Sequence, residues 1–322
     1  MFRTNRPTNR SRPAHKSTGL ERLDLAELHF AAEMPAGRRL DLPGRGTIFV
    51  REAEGPAGAP AVLLVHGLLA SADLNWSLAL PMLATHFRVV APDLRGHGDG
   101  IRTRRFDGAQ CADDLAAIVH ELGLGRVIVV GYSLGGLVAQ LFARRHPGLV
   151  SGLVLCATAH NFSSAGGGSV IRLMTRAALL APERVRRAVM MAVLAPRSAD
   201  SGQGRWVMDQ VAKHDTRCLL QAATEAVAFD SSGWLGGVSM PTSVVLTTND
   251  QVVSPVVQRE LCRVLANPTV HEVEGDHFVC VKRPEAFNSA LVAACTDVGG
   301  QSGPDAGRPT LMSSICEEMF SF

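Results

Sequence analysis

The sequence predicts an α/β fold, in which a mostly parallel sheet carries helices on both faces and an all-helical segment is inserted between two of its strands. Three observations carry this expectation. Short, continuous, partly β-branched apolar runs recur along the chain, separated by helical stretches of ten or more residues. The alternation stops over residues 161–238, where helical segments follow one another without a convincing strand, and then resumes. At one strand-to-helix junction sits a serine flanked by glycines.

Taken in order, residues 1–36 begin with Arg3, Arg6, Arg10, Arg12 and Lys16 before the first acid, Glu21, and are expected to form a basic, disordered arm. No apolar stretch typical of a secretory signal follows it. Residues 38–52 alternate around the turn Pro43-Gly44-Arg45-Gly46, which predicts a β-hairpin. A Gly/Pro-rich linker, Glu54–Pro60, leads into Ala61–Val65, an apolar run suited to a strand buried on both faces. A helical stretch near 75–85, a buried run Phe87–Ala91, a helix over 109–122, a strand Arg126–Val130, a helix over 134–146 and a strand Leu149–Cys156 continue the rhythm.

The inserted helices are expected near 169–180, 182–194, 203–213 and 215–228, with Pro182 starting one and Asp215 capping another. A strand Ser243–Thr247, a helix from about 255, a strand Thr269–Val273 and a last helix over 279–296 complete the pattern. This divides the chain into a core of residues 37–160 and 239–297, a helical cap of 161–238 over the carboxyl edge of the sheet, and a mobile tail of 298–322, within which Leu311–Phe322 suits a short helix.

Bulk properties narrow the function classes. A chain of 322 residues, 46% hydrophobic and 19% charged, can bury one large core. A net charge of +2 is too small for a nucleic-acid binder, and no apolar run is long enough to span a bilayer. Seven scattered cysteines form no CxxC pair and no metal-ligand spacing with histidine, so they read as reduced packing residues of a cytoplasmic protein without a metal or cofactor.

Chemistry concentrates at Gly131-Tyr132-Ser133-Leu134-Gly135-Gly136, which matches G-x-S-x-G. The pattern gains force from its setting, Val-Ile-Val-Val before it and a helical stretch after it. A sharp turn there lifts the serine oxygen clear of the sheet, and the glycines let neighbouring backbone pass. The helix N-terminus behind it favours developing negative charge. An unassisted hydroxyl is a poor nucleophile, so a base and an orienting acid are required. His277, in the short loop after the last strand, is the candidate base, whereas His271 lies within that strand. Asp250, just past strand 243–247, is the candidate acid; Asp276 adjoins the base too closely in sequence, and Asp93 reads as a turn residue. Backbone N–H groups of Leu68 and Leu134 are the candidate oxyanion donors. His66 reads as a structural hydrogen-bonder beneath them.

Three pieces together, His66-Gly67, Asp93-Leu94-Arg95-Gly96-His97-Gly98 and the Ser133 turn, resemble the α/β-hydrolase fold family, in the branch of esterases, lipases and perhydrolases with a helical cap. The resemblance covers about residues 38–296 except the cap, and it implies a triad of Ser133, Asp250 and His277 with an oxyanion hole at Leu68 and Leu134. Departures are Asp99-Gly100 after Gly98, Asp276 rather than glycine before His277, and no His-Gly-Gly-Gly loop. Serine at 133 disfavours the dehalogenase and epoxide-hydrolase chemistries that use aspartate there. The implied activity is hydrolysis of a small-molecule carboxylic ester through an acyl-enzyme on Ser133. Apolar residues of the insertion, among them Leu173, Leu179, Val189 and Met190, lean the substrate toward an apolar group, the alternative being that most of them simply pack the cap onto the core, while Arg176, Arg184, Arg186 and Arg187 read as a solvated face. A thioesterase, acyltransferase, carbon–carbon hydrolase or cofactor-free perhydrolase would use the same triad, and a non-catalytic ligand binder is the alternative outside enzymology.

Overall fold

A computed structural model describes residues 29–30, 34–162, 168–194 and 202–300. The predicted hairpin is β1 (Gly37–Leu42) and β2 (Gly46–Ala53). It is followed by β3 (Ala61–Val65), the short helices α1 (Ala72–Trp76) and α2 (Ala79–Leu83), and β4 (Arg88–Pro92). Then come α3 (Gly108–Glu121), β5 (Val127–Tyr132), α4 (Leu134–Arg145) and β6 (Val150–Cys156). Four helices are inserted here: α5 (Gly168–Leu180), α6 (Glu183–Leu194), α7 (Gly202–Ala212) and α8 (Thr216–Ala228). The chain closes with β7 (Thr242–Thr247), α9 (Pro255–Val264), β8 (Thr269–Val273), α10 (Val279–Lys282) and α11 (Pro284–Gly300).

The strands form one eight-stranded sheet in the order β1-β2-β4-β3-β5-β6-β7-β8. β2 pairs antiparallel with β1 and β4, and β3 to β8 pair parallel with one another. Period-two alternation sends Leu63 and Val65 of β3 into one layer, with Leu115, Ile118 and Phe142 of α3 and α4. Val62 and Leu64 enter the other, with Trp76, Leu80, Phe287 and Leu291 of α1, α2 and α11. Burial on both faces is why β3 and β5 read as unbroken apolar runs, each large side chain contributing about 1.5–3 kcal/mol. The parallel register also gathers the loops after β3, β5, β7 and β8 at one edge, where ligands of open α/β sheets bind.

The last helix departs from expectation. Instead of one helix over 279–296, α10 ends at Lys282, Arg283 leaves the helical region (φ −132°, ψ 59°) and α11 begins with Pro284. Proline lacks the N–H that would continue α10 and pushes the preceding residue out of the helical region. α11 then runs three residues past the expected end of the core, and the rest of the proposed tail lies outside the described residues, as do 1–28 and 31–33 of the proposed arm. His29, within that arm, donates its N–H to the Val281 carbonyl at 2.8 Å, and the Phe30 ring meets Trp206 edge-on at 5.0 Å. Among the described residues no helix is long and apolar enough to cross a membrane.

Candidate active site

Ser133 terminates β5 and caps α4 with φ 52° and ψ −117°, a conformation that costs a non-glycine residue about 1–3 kcal/mol. Surrounding bonds hold the turn. The Ser133 N–H donates to the Cys156 carbonyl at 2.9 Å, and its own carbonyl accepts from Thr158 Oγ1 at 2.7 Å and from the Gly136 N–H at 2.9 Å. A Cβ on Gly131 would strike the Gly135 carbonyl, and one on Gly135 would strike the Val65 carbonyl, so both flanking glycines are demanded by close approach.

His277 lies in the loop after β8. Its Nε2 is 2.9 Å from Ser133 Oγ and its Nδ1 is 2.7 Å from Asp250 Oδ2. An acceptor-only carboxylate at Nδ1 assigns the proton there, leaving the Nε2 lone pair facing the serine hydroxyl. The ring is further placed by Tyr132, whose hydroxyl donates to the His277 carbonyl at 2.7 Å. The Asn249 N–H donates to the Gly275 carbonyl at 3.0 Å and ties the acid loop to the base loop.

Asp250 is buried and saturated. Its Oδ1 accepts from the N–H groups of Val252 and Val253, both at 2.8 Å. Its Oδ2 accepts from His277, from Thr247 Oγ1 at 2.9 Å and from Gln258 Nε2 at 3.3 Å. Gln258 Nε2 also lies 2.7 Å from both Thr247 Oγ1 and the Val253 carbonyl, while its Oε1 accepts from the Thr247 N–H at 3.0 Å. Sequence reasoning missed Gln258 and the role of Thr247. The available signal was a glutamine between Val257 and Leu261 on the buried face of an amphipathic helix.

On the other side of Ser133, the loop after β3 passes close: a Cβ on Gly67 would be 3.4 Å from Ser133 Cβ. The Gly67 N–H donates to Asn75 Oδ1 at 2.9 Å, and Leu69 takes φ 60°. Neither the Leu68 nor the Leu134 N–H has an acceptor among the described residues, and Leu134 opens α4, where the first N–H groups lack helical partners. His66 lies beneath this loop. Its Nδ1–H donates to the Gly67 carbonyl at 2.8 Å, and its Nε2 accepts from the Leu94 N–H at 2.9 Å. His97 and His214 continue the row at ring separations of 5.3 and 5.6 Å. Burial pushes all three imidazoles down to about 3, keeping them neutral.

The competing residues are used elsewhere. His271 Nε2 meets Asp297 at 2.9 Å, and Asp276 accepts from the Phe278 N–H and from Lys282 Nζ. Asp93 is a turn acceptor for the N–H groups of Ala72 and Asp99, and burial raises its carboxyl to about 6. The six described cysteines are free, and Cys316 lies outside the described residues. Among the described residues no cluster of three or more His, Cys, Asp or Glu side chains could hold a metal ion.

A cavity of about 350 Å³ runs from Leu68 and Leu69 to Val185 and Val189 of α6 and Leu219 and Leu220 of α8. Its wall corrects one expectation. Arg176 and Arg184 are exposed, but Arg186 is only 8% exposed. Its Nε donates to Thr216 Oγ1 at 3.1 Å and its Nη1 to the Ala181 carbonyl, so the guanidinium straps α6 to α8. Side-chain spacing on α6 alone does not reveal that Thr216 of α8 supplies one of these acceptors.

Known proteins give this geometry a context. The chain is 40% identical over 97 residues to an uncharacterized protein of Mycobacterium tuberculosis, a match covering 30% of this chain and 28% of that one. It thus spans little more than a quarter of that relative's length. A pimeloyl-[acyl-carrier protein] methyl ester esterase of Neisseria meningitidis is 27% identical over 240 residues, 72% of this chain and 91% of the other. Among solved structures, the enol-lactonase of Burkholderia xenovorans superposes with a TM-score of 0.68 at 23% identity, covering 80% of this chain and all of that one. Residues 60–284 match the family described as alpha/beta hydrolase fold, and the chain belongs to that family.

Proposed function

We propose that this protein hydrolyses a carboxylic ester by acyl transfer through Ser133. The single observation that carries the reading is the continuous relay from Asp250 Oδ2 through both nitrogens of His277 to Ser133 Oγ, at 2.7 and 2.9 Å. In the first step His277 Nε2 takes the serine proton as Oγ attacks the ester carbonyl. Asp250 stabilises the imidazolium, and the N–H groups of Leu68 and Leu134 receive the developing oxyanion. The imidazolium then protonates the departing alcohol, leaving an acyl-enzyme. Water enters, is deprotonated by the same nitrogen, and frees the acid and the serine. Each step uses only protein groups and water.

Two relatives support the ester class, since their names, a methyl ester esterase and an enol-lactonase, both denote carboxylic esters. On this reading residues 161–238 form a cap over the carboxyl edge of a core made of 37–160 and 239–297, and the cavity beneath α6 and α8 receives an apolar acyl or alkyl group. A fluorophosphonate probe tests the nucleophile: it labels the folded protein and fails to label Ser133→Ala. Absence of labelling in folded wild type sinks the proposal. Nitrophenyl esters of graded chain length test the pocket, with kcat/KM expected to rise with acyl length until the cavity is filled; a flat profile defeats the apolar assignment.

A further inference from the structure

Helices α5 and α6 expose apolar side chains where a water-soluble surface ordinarily carries polar ones. Five of the nine strongly exposed large apolar residues among those described lie on these two helices. Leu180 is 89% exposed, Leu173 70%, Met174 66% and Val189 57%, with Val185 beside them. Scattered single residues of this kind need no explanation, but their concentration on two successive helices does. Leu173, Arg176 and Leu180 follow one another at i, i+3 and i+7, so the arginine stands on the same face as the leucines. The pair of helices carries five arginines and one glutamate, a local charge of +4 in a chain whose total is +2. Arg186 is committed to Thr216 and Ala181, whereas Arg176 and Arg184 face solvent.

Exposed apolar side chains on the same two helices as the exposed Arg176 and Arg184 match the interface of an anionic bilayer, where methylenes enter the acyl boundary and guanidinium groups pair with phosphates. Val185 and Val189 are exposed and also line the cavity that ends at Leu68 and Leu69. The mouth of the cavity therefore opens within the patch. We propose that the α5–α6 face docks on anionic lipid surfaces, presenting the cavity mouth to them. This binding does not depend on hydrolysis, so the Ser133→Ala protein is expected to dock as wild type does; its docking separates failure here from failure of the esterase reading.

The test is flotation of the full chain with phosphatidylcholine vesicles, with or without phosphatidylglycerol. Wild type and Ser133→Ala should float with the mixed vesicles and much less with neutral ones. The double variant Leu173→Ser/Leu180→Ser should bind about tenfold more weakly, and Arg176→Gln about fivefold more weakly, with the difference fading at high salt. Leu173, expected from the sequence to bear on the substrate, does not line the cavity and neither does Leu180, so unchanged turnover of a short soluble ester certifies folding of the double variant. Absence of binding to anionic vesicles overturns the proposal. So does binding that survives the leucine pair and vanishes only when Arg3, Arg6, Arg10, Arg12 and Lys16 are neutralised, which would assign it to the N-terminal segment.

Discussion

Two buried polar clusters flank Ser133, and they solve the problem of burial in opposite ways. On the acid side Asp250 is surrounded by five donors, two of them backbone and three from Thr247, Gln258 and His277. On the oxyanion side His66, His97 and His214 form a row of rings in which the Nε2 atoms of His97 and His214 have no hydrogen-bond partner among the described residues. A buried carboxylate must be compensated in full because its desolvation is costly, whereas an imidazole escapes the same cost by losing its proton. Charge is thus kept where the proposed chemistry needs it. It is removed from beneath the backbone that is to receive an oxyanion.

The largest effect should come from Asp250→Asn. An amide at Oδ2 offers a donor to His277, favours the wrong tautomer, and is expected to lower kcat by about 10⁴-fold while the fold persists. A loss below tenfold would mean that the saturated acid is structural. Gln258→Leu sharpens the point from one residue further out. It strips donors from Asp250 and Thr247 and leaves the Val253 carbonyl without its partner. The expected result is about 2 kcal/mol lower stability in urea unfolding and a fall in kcat of about tenfold with little change in KM. Equal kcat in the folded variant would remove Gln258 from any positioning role.

The neutral side is probed by acid. His66, His97 and His214 are held at about 3 in the fold against about 6.5 in the unfolded chain. Below about pH 6.5 the unfolded chain therefore binds protons that the folded one refuses, and stability falls as pH falls. Asp93, raised to about 6, works the other way by keeping a proton in the fold, but it is one group against three. Thermal unfolding should drop by about 5 °C or more between about pH 7 and pH 5. A flat profile would show that the row accepts protons in place. The smallest effect is that of His97→Phe, an apolar ring of similar size, which should reduce that dependence by about a third.

What was legible in the sequence follows the same division. Ser133, Asp250 and His277 each stand just beyond a strand of the sheet, in that chain order, so their place at one edge could be read from order alone. The central strands β3, β5, β6 and β7 were readable because both faces are buried. Gln258 was hidden because one polar residue on an amphipathic helix gives no sign of the carboxylate opposite it. His214 was hidden for a similar reason, since its partners His97 and Gly98 lie more than a hundred residues away in sequence. The break before α11 was visible at Pro284 and is a matter of local chemistry. The burial of Arg186 was not, because it depends on how α6 settles against α8.

The contact between His29 and Val281 bears on how this protein can be handled. A chain cut back to the start of β1 would keep every strand and every residue of the relay, yet it would strip a donor from the short helix that follows His277 and an aromatic neighbour from Trp206. The segment ahead of the sheet is therefore moored a few residues from the base.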